Sequence, residues 1–318
     1  MVLIFALALF CIGCTKSEGP MPNFSDPTGT SPATREGPAP LLYKVTGKNG
    51  GVVWLFGSIH VGTDKMHPLP GYVMNAFTQA DALAVECDIL AVMENPSSMT
   101  NVLMDAVYTD GTTISDHIPK ELYDAAVKIL KDNNYYMKAL DSYMPILWYS
   151  FIESFSTANY GYDEEKGIDL FLLNLAYDLE KPILEIESVE FQYGMLTSFS
   201  PQLQVMLLEQ AVAGYGSPEG KEYIDAMMDA WCRGDEAAVS AMLNEDDTAG
   251  ATAEELELIR EYNTAMITNR NISMADFAMD ALETGDSVFI CVGMAHVLGD
   301  GAMVDLLRQQ GYTVELVH

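Results

Sequence analysis

Basic side chains are scarce in this chain. Its 318 residues include 16 Lys and Arg against 46 Asp and Glu, which gives a formal net charge of −30 at pH 7. A surface this acidic repels phosphate backbones and anionic lipid headgroups. The composition therefore argues against nucleic acid as a partner and favours neutral or basic ones.

Cysteines are also few, and they are dispersed. Two of the five stand near the N-terminus, at Cys11 and Cys14, which leaves Cys87, Cys232 and Cys291 in the rest of the chain. Three scattered thiols do not make a disulfide framework. The GxSxG, HExxH and GxxxxGK[ST] motifs are missing as well. Their absence removes the usual support for a serine hydrolase, a zincin or a P-loop protein.

The N-terminus carries an uncharged apolar run, Val2–Phe10, which ends at Cys11-Ile12-Gly13-Cys14. The run suits the apolar region of a signal peptide and is too short to span a bilayer. Its Gly-Cys ending resembles the lipobox of bacterial lipoproteins. We therefore expect residues 1–14 to be a signal peptide with a lipobox-like end and Cys14 to be lipidated. An uncleaved membrane helix is the alternative, because Cys11 replaces the usual Leu and no basic residue precedes the run.

A second segment, residues 15–40, holds six of the fourteen prolines together with Gly, Ser and Thr. Such a composition buries too little apolar surface to offset the entropy lost on ordering. We predict a disordered tether here and a folded domain over residues 41–318. The expected location is outside the cytoplasm, at the cell membrane.

The folded part begins with a predicted hairpin, Leu42–Thr46 and Val52–Phe56, joined by a loop that contains Asn-Gly. A loop, a helix to about residue 80 and the short apolar strand Ala82–Glu86 follow. This order of strand, helix and strand is typical of the β-α-β unit that builds parallel sheets.

The C-terminal end repeats that order, with strand Val288–Val292, helix Met303–Gln310 and strand Tyr312–Val317. Between the two units the pattern is mostly helical. Helices are predicted over residues 119–133, 167–179, 202–212, 221–233 and 253–282, with a strand over 181–187. The sequence thus predicts one α/β domain, with a mixed or parallel central sheet built from two β-α-β units and a large helical insertion.

A GxxH motif follows the apolar strand in both units, as Gly57–His60 and Gly293–His296. Ligands of open α/β sheets bind beyond the carboxyl ends of the strands, where both histidines are expected. We expect each glycine to let the chain turn sharply as it leaves the sheet. The recurrence makes His60 and His296 candidate ligands of one site.

Glu86 ends the third apolar strand and is the best carboxylate to complete that site. Two imidazoles and a carboxylate suit a divalent metal ion, with Glu86 as a ligand or as a general base on a bound water. A solvated residue at a strand end is the alternative for Glu86. His67 is either a third imidazole ligand or a residue of the loop surface.

Several segments, taken in order, resemble the TraB/PrgY/GumN family, which includes the Tiki proteases. They are LLYKVTGKNGGVVWLFGSIHVG, DALAVECD, KPILEIESVEFQ, TNRN and VGMAHVLGDGAMVDLLRQQGYTVELV. The resemblance implies an α/β fold related to the erythromycin-esterase and ChaN-like group. It also implies metal-dependent proteolysis outside the membrane, with Mn or Co favoured and Zn possible.

Further site residues come from the same resemblance. It implies His60, Glu86 and His296 as metal ligands and catalytic residues, with Gly57 and Gly293 in support. Glu187, Arg270 and Asn271 match other family segments. Arg270 is expected either to stabilise an oxyanion or a peptide carboxylate, or to pair with a structural carboxylate such as Glu187.

The leading hypothesis is a surface-tethered, metal-dependent peptidase or hydrolase that acts on peptides or protein N-termini. The first alternative is a lipoprotein that binds or sequesters a peptide signal without catalysis. The second is ester hydrolysis. Substrate, metal and oligomeric state stay open at the level of sequence.

Overall fold

The computed structural model describes residues 37–94, 96–245 and 248–317. The predicted signal peptide, Cys14 and residues 15–36 of the predicted tether lie outside the described residues. At the end of that tether, Pro38 and Pro40 are buried, and the Ala39 N–H donates to the carbonyl of Cys232 at 2.6 Å. Among the described residues, Pro38, Ala39 and Pro40 thus already pack against the domain predicted to start at residue 41.

A mixed six-stranded sheet forms the centre of the molecule, with the order β4-β3-β5-β2-β1-β6. Its strands are β1 (Leu42–Thr46), β2 (Val52–Ser58), β3 (Ala82–Val85), β4 (Ile183–Glu185), β5 (Ser287–Gly293) and β6 (Val314–Val317). Strands β4, β3, β5 and β2 run parallel to one another, whereas β1 is antiparallel to both β2 and β6. The predicted hairpin and the α/β class are confirmed.

The two β-α-β units interlock across this sheet. In each unit the two strands run in the same direction, but they are not neighbours. Strand β5 lies between β2 and β3 of the first unit, and β2 and β1 lie between β5 and β6 of the second. As a result, the three strands that precede His60, His296 and Glu86 stand side by side in the order β2-β5-β3.

Helices surround the sheet and fill the middle of the chain. They are α1 (Gly71–Gln79), α2 (Ile89–Glu94), α3 (Pro96–Asp105), α4 (Ile114–His117), α5 (Lys120–Asp132), α6 (Pro145–Asn159), α7 (Ile168–Asp178), α8 (Val189–Thr197), α9 (Pro201–Gly214), α10 (Pro218–Arg233), α11 (Glu236–Leu243), α12 (Ala253–Asn263), α13 (Asn269–Thr284), α14 (Met294–Val297) and α15 (Met303–Gln309). Of the helices that the structure describes, none is long and apolar enough to cross a membrane.

The described residues form three clusters of buried apolar side chains, of which two are large. One packs helices against the sheet, where β3 is buried along its whole length and β5 from Val288 onward. The other lies inside the helical insertion, chiefly among α4, α5, α6, α9 and α12. The predicted large insertion is therefore a layer with a core of its own.

The predicted single helix over residues 253–282 is wrong in one respect. A π-helical turn, Thr264–Thr268, separates α12 from α13. Such a turn widens the helix by one residue and changes which side chains face inward after it. Helical periodicity has no signature for it, so the sequence alone could not show the break.

Candidate functional site

Three neighbouring strands deliver the predicted site residues to one edge of the sheet. His60 lies two residues beyond β2, His296 lies in α14 directly after β5, and Glu86 follows β3 at once. Since β2, β5 and β3 are parallel, their carboxyl ends lie on the same side. The structure therefore brings together the two imidazoles and the carboxylate that the sequence analysis proposed.

The space these side chains share lies beside Gly293. A Cβ atom placed on Gly293 would lie 3.3 Å from Glu86 Oε1, 3.6 Å from His296 Cδ2 and 3.8 Å from His60 Nε2. His296 Nε2 is 4.0 Å from Glu86 Oε1, and the Gly293 N–H donates to that oxygen at 2.7 Å. All three predicted residues thus border one small volume.

The two motif glycines have different roles, and neither is the sharp turn that the sequence analysis expected. Gly293 has φ −50° and ψ 139°, a conformation open to any residue. Its missing side chain leaves room at the site. A Cβ on Gly57 would lie 2.5 Å from Met294 Sδ and 3.0 Å from Met294 Cα, so Gly57 allows α14 to pack against β2.

Glu86 is held by three donors. The Gly293 N–H bonds Oε1, while Arg270 Nη2 and Gln192 Nε2 bond Oε2 at 2.5 and 3.1 Å. Arg270 also pairs with Glu187, through Nε at 2.8 Å and Nη2 at 2.9 Å, and Gln192 donates to Glu187 at 2.8 Å. Arg270 is therefore a buried bridge between two carboxylates, which is the structural pairing that the sequence analysis left open.

Helix α13 supplies Arg270 and the neighbouring Asn271 from its first turn, directly after the π-helical turn. Asn271 Oδ1 accepts from His296 Nδ1 at 2.7 Å, and its amide group donates to the Gly301 carbonyl at 3.0 Å. Consecutive helix residues therefore serve two different members of the site. The amide fixes His296 with its Nε2 toward Glu86.

Sequence reasoning missed three residues of this cluster. Asp169 Oδ2 accepts from His60 Nδ1 at 2.8 Å, and Ser58 Oγ donates to Asp169 Oδ1 at 2.5 Å. Gln192, on α8, joins Glu86 to Glu187. Asp169 and Gln192 lie on helices more than a hundred positions away from His60 and Glu86, respectively, so neither the GxxH motifs nor the strand ends indicated them.

Protonation differs sharply between the two histidines. Burial on its own lowers the pKa of His60, but the charge and hydrogen bond of Asp169 outweigh it and raise that pKa to about 9. Burial lowers the pKa of His296 to about 3, so this ring is neutral at pH 7. Burial also disfavours the charge of Glu86, yet Arg270 holds its pKa well below the usual range.

The site opens to solvent on the His60 side. The side chains of His60 and Asp169 are 23% and 17% exposed, whereas that of His296 is 1% exposed. Arg270 and Glu187 are equally buried, at 5% and 4%. His60 and Asp169 therefore form the solvent-accessible side of the shared volume.

His67 is a half-buried residue of the loop between β2 and α1. Its Nε2 donates to the Lys166 carbonyl at 2.9 Å, and its ring packs on Phe171 with the centroids 4.9 Å apart. The His67 side chain thus ties its own loop to the start of helix α7. It remains outside the group formed by His60, Glu86 and His296.

The donor set can be tested for a metal ion. In the part of the chain that the structure describes, no three His, Cys, Asp or Glu side chains have the spacing of a metal site as they stand. Two ligands of a tetrahedral ion lie about 3.4 Å apart, against the 4.0 Å between His296 Nε2 and Glu86 Oε1. To bind one tetrahedral ion, His296 Nε2 and Glu86 Oε1 would therefore have to move about 0.6 Å closer together.

The chemistry of the donors fits. Both imidazoles have Nδ1 occupied by an outer acceptor, which is the usual arrangement of metal-binding histidines. Asp169, Glu86, Glu187 and the Arg270 guanidinium together carry a formal charge of −2, which becomes −1 while His60 is protonated. A divalent cation that displaces the His60 proton would be attracted by this negative charge.

One family model matches nearly the whole described chain, and the similar proteins are uncharacterized. The family model described as TraB/PrgY/gumN family matches residues 41–316. An uncharacterized protein of Escherichia coli (strain K12), YbaP, is 25% identical over 258 residues, covering 80% of this chain and 87% of its own. An uncharacterized protein of Treponema pallidum (strain Nichols) is 21% identical over 275 residues, covering 85% of this chain and 80% of its own. No solved structure matches.

Proposed function

Because the chain belongs to the TraB/PrgY/gumN family, we propose that it is a metal-dependent hydrolase that cleaves peptides or protein N-termini. The observation that carries the proposal is the meeting of His60, Glu86 and His296 at the carboxyl ends of three adjacent parallel strands. Two imidazoles and a carboxylate around one open volume are the ligand set of many hydrolytic metal sites.

His60, Glu86 and His296 would hold the ion, and Mn, Co and Zn are the candidates. A bound divalent ion supplies a water of lowered pKa and polarises a carbonyl oxygen. Glu86 Oε1 accepts one hydrogen bond, from Gly293, and keeps a lone pair for a ligand bond. The outer acceptors Asp169 and Asn271 keep the two Nε2 atoms toward the shared volume.

Arg270 is assigned a positioning role in this proposal. Its guanidinium makes hydrogen bonds to Glu86, to Glu187 and to the Met266 carbonyl. These contacts use four of its five N–H groups, which leaves little capacity for an oxyanion. Arg270 would instead keep Glu86 ionised and aimed at the shared volume.

The proposal extends to the setting of the reaction. A lipidated Cys14 would place the enzyme on the outer face of the cell membrane, and the acidic surface favours neutral or basic peptides. A fold relationship to the erythromycin-esterase and ChaN-like group is part of the same proposal. The mixed α/β sheet supports it.

A metal titration joined to a cleavage assay tests the proposal. Purified full-length protein is stripped of metal, reloaded with Mn²⁺, Co²⁺ or Zn²⁺ and incubated with a peptide library. We expect one ion per chain and metal-dependent cleavage. His60→Ala, His296→Ala and Glu86→Gln should each remove most of the activity, while His117→Ala, an exposed histidine elsewhere, should keep it.

Two results would contradict the proposal in different ways. Retained metal or peptide without turnover under any ion would favour the sequestering function. A protein that shows neither metal binding nor turnover would rule out the metal-dependent hydrolase. An undiminished Glu86→Gln enzyme would show that another carboxylate acts.

A further inference from the structure

Asp169 stands in the first turn of α7 with both carboxylate oxygens engaged at the site. Oδ2 accepts from His60 Nδ1 at 2.8 Å, and Oδ1 accepts from Ser58 Oγ at 2.5 Å. Ser58 is the last residue of β2 and is 2% exposed. Two hydrogen bonds therefore link Ser58, at the buried end of a central strand, through Asp169 to His60, at the open side of the site.

The backbone around this contact is built for close approach. Gly62 and Asp163 exchange two backbone hydrogen bonds, at 2.8 and 3.0 Å, and the Ile168 N–H donates to the Ile59 carbonyl at 3.0 Å. A Cβ atom on Gly167 would overlap the His60 carbonyl oxygen. The loop that carries His60 and the loop that leads into Asp169 are thus locked together at the backbone level.

This geometry decides which nitrogen of His60 faces the shared volume. An acceptor at Nδ1 keeps the proton on that nitrogen when the ring is neutral, so the Nε2 lone pair points toward Glu86 and Gly293. Without the acceptor, a neutral imidazole also adopts the tautomer with a proton on Nε2. That tautomer is unable to bind an electrophile at this position.

We propose that Asp169, held by Ser58, is a positioning residue that fixes the orientation and the tautomer of His60 for ligand binding through Nε2. Asn271 does the same for His296 with a neutral amide. The proposal rests on the proposed function only in taking the ligand to be a divalent ion. A purely structural Asp169 would instead serve to fasten α7 to the loop after β2.

The test compares four variants of the full-length protein. Asp169→Leu removes the acceptor, Asp169→Asn keeps an oxygen at Nδ1 without the charge, and Ser58→Ala releases the other side of the carboxylate. Asp163→Asn is the matched control, because Asp163 lies in the loop that leads into α7 and its side chain accepts from the Glu165 N–H at 2.9 Å, away from His60. Circular dichroism and the unfolding midpoint report whether each variant is folded.

The first readout is the His60 tautomer in the metal-free protein, from long-range proton–nitrogen NMR spectra at pH 10. That pH lies above the His60 pKa of about 9, so the ring is neutral. We expect an Nδ1–H ring in the wild type, in Asp169→Asn and in Asp163→Asn. Asp169→Leu should show a large share of the Nε2–H form.

The second readout is the Co²⁺ affinity of the form with neutral His60, obtained from titrations over a range of pH so that competition from the His60 proton is removed. Loss of such an outer acceptor weakens metal binding by about 10- to 100-fold. We expect that loss in Asp169→Leu, smaller losses in Asp169→Asn and Ser58→Ala, and no change in Asp163→Asn. A folded Asp169→Leu protein with the wild-type tautomer and an affinity within twofold would overturn the proposal.

Failure of the proposed function would be visible separately. A wild-type protein that binds none of the tested ions overturns the metal-dependent hydrolase, and the tautomer measurement still decides the role of Asp169. If Asp169→Leu does not fold, the Co²⁺ affinities of Asp169→Asn and Ser58→Ala decide. Wild-type affinity in both of these variants would overturn the proposal.

Discussion

Replacing Gly293 with alanine places one methyl group in the volume that His60, Glu86 and His296 share. The backbone conformation at this position, φ −50° and ψ 139°, accepts alanine without strain. The new methyl would lie 3.3 Å from Glu86 Oε1, closer than an ordinary contact, so the carboxylate has to move by a few tenths of an ångström. It would also lie 3.8 Å from His60 Nε2.

The stability of Gly293→Ala should therefore change little. Alanine in place of glycine at a compatible conformation stabilises a fold by about 0.4–1 kcal/mol through the unfolded chain. Displacement of the Glu86 oxygen opposes that gain, since overpacking costs about 1–3 kcal/mol in a tight core. We expect the free energy of unfolding to stay within about 1 kcal/mol of the wild type.

Function should change far more than stability. A group that fills the shared volume displaces ligand or substrate, and a misplacement of about 1 Å costs about 100-fold in rate. We expect Co²⁺ affinity and peptide cleavage to fall by at least about that factor. The assay is a metal titration and a cleavage rate on the same preparation, with urea unfolding alongside.

Gly57→Ala is the matched control from the other GxxH motif. Its methyl would press on the sulfur and backbone of Met294, so the free energy of unfolding should fall by about 1–3 kcal/mol. A Gly293→Ala protein with wild-type affinity and activity would refute the reasoning that the open space beside Gly293 is the working volume.

Three further predictions follow from buried or terminal groups. Arg270→Met leaves Glu86 and Glu187 buried without their cation and should lower the free energy of unfolding by about 3–5 kcal/mol in urea titrations. Arg260→Met is the control at an exposed ion pair and should change that free energy by less than about 1 kcal/mol. Equal effects of the two substitutions would contradict the role of Arg270 as a bridge between two buried carboxylates. Glu153 is 3% exposed and burial raises its pKa to about 7, so its contribution to stability is present below the ordinary carboxyl pKa and is lost as the pH rises toward 7. Glu153→Gln should therefore gain about 2–3 kcal/mol relative to the wild type between pH 5 and pH 8 in chemical unfolding, and a pH-independent difference would be the contrary result. Cys14→Ser should release the protein from membranes in cell fractionation, whereas unchanged retention would indicate an uncleaved helix.

The sheet and the ends of its strands could be predicted because their sequence signal is local. Short apolar runs bounded by glycine mark β2 and β5, and the repeated GxxH motif pointed to their common edge. That the two strands are neighbours depends on β5 inserting between β2 and β3, which no local pattern encodes. The sequence supplied the candidate residues, and the strand order brings them together.

The residues that support the site could not be predicted, because their contacts with it have no local sequence signal. Gln192 lies five positions after Glu187, but its contact with Glu86 depends on the tertiary packing of α8. The contacts of Asp169 with Ser58 and His60 depend in the same way on the packing of α7. The predicted role of the motif glycines was also wrong, because a missing Cβ can allow close packing or leave open space. Gly57 allows close packing and Gly293 leaves open space, and which of the two applies depends on the residues that lie opposite.

Anomalous diffraction from crystals grown with Co²⁺ tests the central claim most directly. We expect one strong anomalous-difference peak in the volume beside Gly293, about 2.1 Å from the Nε2 atoms of His60 and His296 and within bonding distance of Glu86. Loss of this peak in His296→Ala crystals would agree with that assignment. A wild-type map at saturating Co²⁺ with no peak there, or with the ion bound elsewhere, would contradict it.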